Sequence, residues 1–265
     1  MVFVYEELQL FLVIPKVLEG IISLITAIIV FRKSKYIVNR AFFLAFLAWS
    51  IGAFLDGTMY LIAANSEFDL FVANILRDFA MALSNVTCFA LFFAVLVITR
   101  GKSEVVSTKM IALIISLFLV IVVVTDIGDY LAVVNTTTGA VIPAVDLPPG
   151  STIAFRVTAP ANIISATGFI ASLTIFIISV GILGNLLRKI RDPSERRRIG
   201  LFLIGLVLLV VGYAWFFIIV TIKFQNLATY WIGYLVWTAA PIFTLKGVSP
   251  PETNSEKDEK KSIEE

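Results

Sequence analysis

Seven apolar runs occupy most of this 265-residue chain. Each is long enough to cross the roughly 30 Å hydrocarbon core of a bilayer, which takes about 20 helical residues. They fall at about 8–31, 39–64, 70–98, 109–126, 159–187, 199–222 and 228–246. Hydrophobic residues make up 59 % of the chain and charged residues 15 %, against about 45–50 % and 25 % in soluble globular proteins. The runs lack the ten-residue alternation of barrel strands, and helices satisfy their backbone polar groups within a single segment. The expected fold is an all-α membrane protein: a seven-transmembrane helix bundle over 1–247, with a disordered cytoplasmic tail over 248–265.

Lys and Arg set the orientation. The segments "FRKSKYIVNR", "RGKSEVVSTK" and "RKIRDPSERRR", together with the tail, hold 17 of the 21 basic residues and share one side of the seven-span arrangement. The opposite connections hold only Arg156 and Lys223. The excess of basic residues places the N-terminus outside and the C-terminus in the cytoplasm of a multi-pass cell-membrane protein. The start "MVFVYEELQL" is acidic, unlike a cleavable signal peptide, so the first span is expected to insert itself.

The residue inventory narrows the chemistry. Cys88 is the sole cysteine and there is no histidine, which excludes an intrachain disulfide, His-ligated metal and Ser-His or Cys-His catalysis. No enzyme activity, metal or cofactor is expected. The segment 127–158 carries β-branched runs around the turn signals "NTTTG" and "LPPG", which predicts a small outer β-hairpin between the fourth and fifth spans. Asn135 in "NTT" is a glycosylation sequon on the outer side.

Ionisable residues inside the spans are Lys16, Glu19, Asp56, Arg77 and Asp78, and charges at such depth are functional candidates by default. At 1.5 Å per residue, Glu19 lies about 15 Å below Gln9, Asp56 about 13 Å below Asn65 and Arg77 about 12 Å below Asp69. All three reach one layer in the outer half of the bundle. Arg77, Asp78, Met81, Ser84, Asn85 and Cys88 form one stripe of the third helix, and Trp49, Gly52, Ala53, Asp56, Tyr60 and Ala63 one face of the second. Leu44, Leu47, Ile51, Phe54, Leu55 and Ile62 form the opposite face, suited to lipid. Asp56 is thus expected to point inward, where a cation such as Arg77 meets it.

If all five groups ionise, the layer carries two positive and three negative charges. Either one carboxyl is protonated or a cation or cationic ligand supplies the balance. The alternative is a structural ion-pair network, with Lys16 and Asp78 near enough to the surface to be solvated. Tyr234 and Trp237 are deep enough in the seventh run to line a pocket, whereas Tyr230 and Trp231 fall where an interfacial belt would put them. The expected ligand-binding residues are Glu19, Asp56, Tyr60, Arg77, Asp78, Asn85, Tyr234 and Trp237. Gly181, Gly184, Gly200, Gly205 and Gly212 are expected to permit close helix packing.

Seven helices with an outer N-terminus invite comparison with rhodopsins and G-protein-coupled receptors. The seventh run, "YWIGYLVWTAAPIFTL", lacks the lysine that would hold retinal, and the third ends "LVITRGK" without an acidic-Arg-Tyr element. Three other stretches, "AFFLAFLAWSIGAFLDGTMYL", "ERRRIGLFLIGLVLLVVGYAWF" and "YWIGYLVWTAAPIFTLKG", resemble the seven-transmembrane N-terminal sensor region of prokaryotic histidine kinases and diguanylate cyclases. The resemblance implies a receptor-like sensor of a small ligand or ion. About 19 residues follow the last run, so no kinase or cyclase module is expected, and output is expected to pass to a separate cytoplasmic partner. Its natural contact is the third cytoplasmic loop, through Arg188, Arg191, Arg196 and Arg197. Topology determination and attraction to anionic lipid explain the same arginines. Other expected partners are the lipid bilayer and a second copy of the chain, and no nucleic acid. A cation- or proton-coupled carrier and a structural accessory subunit stay open as alternatives.

Overall fold

A computed structural model describes residues 5–32, 36–63, 70–133, 159–221 and 227–248. These residues form eight helices and no strand: α1 (Tyr5–Arg32), α2 (Ile37–Ala63), α3 (Leu70–Arg100), α4 (Lys102–Val105), α5 (Thr108–Val133), α6 (Ala159–Lys189), α7 (Pro193–Thr221) and α8 (Leu227–Val248). Every predicted apolar run coincides with one long helix. α1, α2, α3, α6 and α7 each contain a stretch of 20–27 residues long and apolar enough to cross a membrane. The chain is a multi-pass helical membrane protein. In α5 the apolar stretch among the described side chains is shorter, Thr108–Val123.

Two local signals set helix boundaries. Gly101 takes φ 89°, a left-handed conformation open to glycine, and this ends α3 and starts the single turn α4. α7 begins six residues before its apolar run because Asp192 of "DPSE" caps its N-terminus, with Pro at the first helical position. Asp192 Oδ2 accepts from the Glu195 amide at 2.8 Å and from the Ser194 hydroxyl at 2.8 Å. Those two bonds hold the Asp192 carboxyl below its ordinary value. Residues 127–133, read above as the start of an outer β-rich segment, instead continue α5, where its intrahelical bonds persist through "IGDYLAV". The rest of that segment, 134–158, with Asn135, lies outside the described residues, as does the tail beyond 248.

The helices close a ring. α1 packs on α2 and α8, α2 on α3, α3 on α6, α6 on α7 and α7 on α8, while α5 lies outside against α6 and more sparsely α3. The buried face of α1 reads Leu12, Lys16, Glu19, Ser23, Thr26, Val30, alternating steps of four and three. Phe42, Leu91, Phe176, Leu183, Phe202 and Leu206 fill the middle of the bundle.

Small residues bring α7 and α8 together. A side chain at Gly205 would collide with Thr244, one at Gly212 with the Trp237 indole, one at Gly233 with Phe216, and one at Gly247 with the backbone of α7. Gly181, Gly184 and Gly200, expected to serve the same purpose, have nothing within 4 Å of an added Cβ and therefore set no helix approach. Phe54, expected to face lipid, lies across Gly20 of α1 instead, because the missing side chain there leaves room for its ring.

Candidate functional site

The charged layer is built where α1, α2 and α8 meet. Lys16 and Glu19 stand one turn apart on α1, and their side chains meet at 3.2 Å. From α2, Asp56 Oδ2 approaches Lys16 Nζ at 2.9 Å. One ammonium group therefore holds two carboxylates. A Cβ added at Gly57, next to Asp56, would meet the Lys16 Cβ at 3.6 Å, so α1 and α2 run close at this point. The Tyr234 ring of α8 lies 4.3 Å from Lys16 Nζ and the Trp237 ring 5.3 Å, both within range of a cation–π attraction. Tyr60 and Tyr234 share a hydroxyl–hydroxyl hydrogen bond of 2.6 Å.

Lys16, solvated in the structural-network alternative, is only 3 % exposed. It is a cation that meets Asp56, the role the sequence reading gave to Arg77. The sequence signal was its place on the buried stripe of α1, one turn above Glu19. Arg77 and Asp78 belong to α3, but their side chains lie outside the described residues. Glu19, Asp56, Tyr60, Tyr234 and Trp237 come together as expected. Asn85 does not join them, since its side-chain oxygen accepts from the Ser172 hydroxyl at 2.6 Å across the α3–α6 contact.

With Lys16, Glu19 and Asp56 ionised, the cluster keeps one net negative charge. Glu19 is 1 % exposed, and its Oε2 touches Lys16 without an aligned hydrogen bond. Ser23 Oγ and Trp49 Nε1 are also buried without a hydrogen-bond partner among the described residues. The Asp56 side chain keeps 25 % of its surface exposed, the open side of the cluster.

An aromatic layer separates the cluster from the Arg32 end of the bundle. Trp237 packs edge-on against Trp49 at 5.4 Å and at a tilt against Tyr213 at 5.1 Å, and Tyr213 lies tilted against Phe176 at 5.5 Å. Polar groups tie this layer to its neighbours. Tyr213 bonds Ser84 of α3, and Trp237 Nε1 donates to the Leu209 carbonyl of α7 at 3.4 Å. Pro241, one turn further along α8, has no N–H to donate to the Trp237 carbonyl. Tyr230, read from sequence as part of an interfacial belt, is buried against Leu12 and Tyr234, because the closing of α8 onto α1 covers it.

At the junction of α6 and α7, Arg188 in the last turn of α6, Arg191 in the connection, and Arg196 and Arg197 near the start of α7 are exposed. Arg198 turns inward and donates to the Val248 carbonyl of α8 at 3.3 Å. Among the described residues, no group of His, Cys, Asp or Glu could hold a metal ion.

No family model, curated protein or solved structure matches the chain.

Proposed function

We propose that the protein is a receptor-like membrane sensor with seven spans, its N-terminus outside and its C-terminus cytoplasmic. In this reading α5 and α8 cross the bilayer with the five more apolar helices. A small cation, a proton or a cationic ligand engages Glu19 and Asp56. The observation that carries the reading is the sharing of one buried lysine by two carboxylates, one of them partly exposed. Such a site changes its charge balance when a cation arrives, and its members belong to three different helices. A change at Lys16 bears directly on Tyr234 and Trp237, and through Trp237 on Tyr213 and α7. The other end of α7 begins at the arginine-rich loop, the proposed contact of a cytoplasmic signalling partner. The resemblance to prokaryotic sensor regions supports the same reading.

A stability screen tests it. Wild type, Glu19→Gln and Asp56→Asn in lipid nanodiscs are melted across pH 5–8 with sodium, potassium, ammonium and simple primary amines. The expected result is a cation- or pH-dependent rise in melting temperature of the wild type that either substitution abolishes. Three indistinguishable profiles overturn the reading.

The same two carboxylates favour a second reading, a proton- or cation-coupled carrier. The aromatic layer of Trp49, Tyr213, Trp237 and Phe176 stands across the path such a carrier needs. Cation flux into liposomes that disappears in Asp56→Asn would select this reading over the first.

A further inference from the structure

Where α6 gives way to α7, exposed basic side chains crowd together. Arg188 and Lys189 occupy the last turn of α6, Arg191 the connection, and Arg196 and Arg197 the first two turns of α7. The C-terminal end of α6 favours cations through its dipole, but Arg196 and Arg197 stand at the positive end of α7, where negative charge is favoured. Two carboxylates share the junction. Asp192 is engaged in the cap of α7, accepting from the Ser194 hydroxyl and the Glu195 amide, and Glu195 is exposed. Among the described residues, none of the five basic side chains enters an ion pair or a side-chain hydrogen bond.

The chain itself delivers acid to this place. Arg198 donates to the Val248 carbonyl at 3.3 Å, and a Cβ added at Gly247 would collide with the Arg198 carbonyl, so the end of α8 lies on the second turn of α7. Residues 249–259 follow, "SPPETNSEKDE", with Glu252, Glu256, Asp258 and Glu259 against Lys257 alone. At about 3.5 Å per extended residue, Glu252 can reach about 14 Å from Val248 and Glu259 about 38 Å, against about 10 Å between the axes of packed helices. All five basic residues of the junction therefore fall within range of these carboxylates.

We propose that residues 249–259 dock on the junction of α6 and α7, with Glu252 and Glu256 at Arg196 and Arg197, and Asp258 and Glu259 towards Arg188 and Arg191. Exposed ion pairs are individually weak, but tethering at Val248 raises the local concentration of the acidic segment to about millimolar. Anionic lipid competes for the same arginines, whereas the attached acid is present whatever the lipid. The docked segment covers the surface named above as the contact of a cytoplasmic partner, and such a partner must displace it. The docking itself does not rest on the sensor reading.

The test is the mobility of a spin label on the full chain, read by electron paramagnetic resonance. Ser255→Cys in a Cys88→Ser background carries the label, in nanodiscs of phosphatidylcholine, which has no net charge. The expected spectrum holds an immobilised component at about 0.05 M salt that is lost at about 1 M, where the screening length falls to about 3 Å. The same component is lost in Arg196→Gln with Arg197→Gln, and in a chain carrying Glu252→Gln, Glu256→Gln, Asp258→Asn and Glu259→Gln. The second variant leaves every helix unchanged, so it decides the matter if the arginine variant misinserts. Exchanging the charges, with Glu252→Arg, Glu256→Arg, Arg196→Glu and Arg197→Glu together, restores the component. A wild-type label that is mobile at low salt, or an immobilised component that survives high salt or loss of the four carboxylates, overturns the proposal. Mobility at low salt joined to a preferential retention of phosphatidylglycerol that the arginine variant loses assigns the arginines to anionic lipid instead.

Discussion

Replacing Lys16 by Met tests the electrostatic logic of the α1–α2–α8 junction most directly. The substitution nearly conserves the length of the side-chain stem, so its effect is chiefly the loss of charge. Two attractions disappear, at 2.9 Å and 3.2 Å, each worth about 5 kcal/mol before desolvation at an effective dielectric constant of 20. The contacting carboxylate oxygens lie at most about 6 Å apart, because both touch one nitrogen. Their mutual repulsion is then at least about 3 kcal/mol on the same scale. Burial has already taken the solvation of Glu19, so removing the lysine strands it. The expected net loss is about 3–5 kcal/mol, the usual result of deleting one partner of a buried pair.

For a chain of this size such a loss lowers the melting temperature by roughly 6–20 °C. Glu19→Gln removes one of the two competing carboxylates and leaves a neutral Lys16–Asp56 pair, so its melting temperature stays at or above that of the wild type. Combining Lys16→Met with Glu19→Gln and Asp56→Asn removes every charge of the cluster and recovers most of the loss. Circular dichroism melts of the four proteins in one detergent suffice. If Lys16→Met melts within about 2 °C of the wild type, or the charge-free triple variant is no better than Lys16→Met alone, the electrostatic reasoning is wrong.

Other positions give independent checks. Gly212→Ala drives a methyl group into the Trp237 indole and is expected to cost about 1–3 kcal/mol, whereas Gly200→Ala meets nothing and gains about 0.5–1 kcal/mol from helix propensity, both measurable in the same melts. Tyr213→Phe and Ser84→Ala each remove one hydrogen bond between α7 and α3, at about 1 kcal/mol, and the double variant costs less than the sum of the two. The lowered Asp192 carboxyl stabilises the start of α7 at every pH above its unfolded value of about 3.9 and loses that contribution only as the pH falls through the lower folded value. Hydrogen exchange of the first α7 amides therefore accelerates in strong acid and in Asp192→Ala, while Asp192→Asn keeps a neutral cap whose protection does not respond to acid.

The positions of the long helices were legible because spanning hydrocarbon requires unbroken apolar length, which sequence displays directly. Their faces were legible where polar or small residues interrupted that length. Trp49, Gly52, Ala53 and Asp56 do turn inward on α2, and Ser84, Asn85 and Cys88 are engaged with α6 and α7. The contact of Asp56 with Lys16 was not legible. Depth along a helix constrains which layer a charge reaches, but not which neighbouring helix supplies the other charge. That choice follows from ring order, which places α1 beside α2 and α8. The same limit explains the glycines. Gly200 and Gly212 look alike in sequence, and only the position of α8 makes one an interface and the other a bare surface.

The contact of Lys16 with Tyr234 joins residues 218 positions apart in the chain, and it sets an order for biogenesis. A ribosome delivers α1 and α2 early, and Lys16, Glu19 and Asp56 can enter the bilayer as a paired hairpin before most of the chain exists. The aromatic cover comes from α8, which is made after all the other described helices. Until it docks, the hairpin presents its half-neutralised charges along an open seam, the kind of intermediate that an insertase or a membrane quality-control protease would encounter. Substitutions in α8 that spare stability of the finished bundle but slow its docking should therefore lower the yield of protein in cells more than they lower its melting temperature.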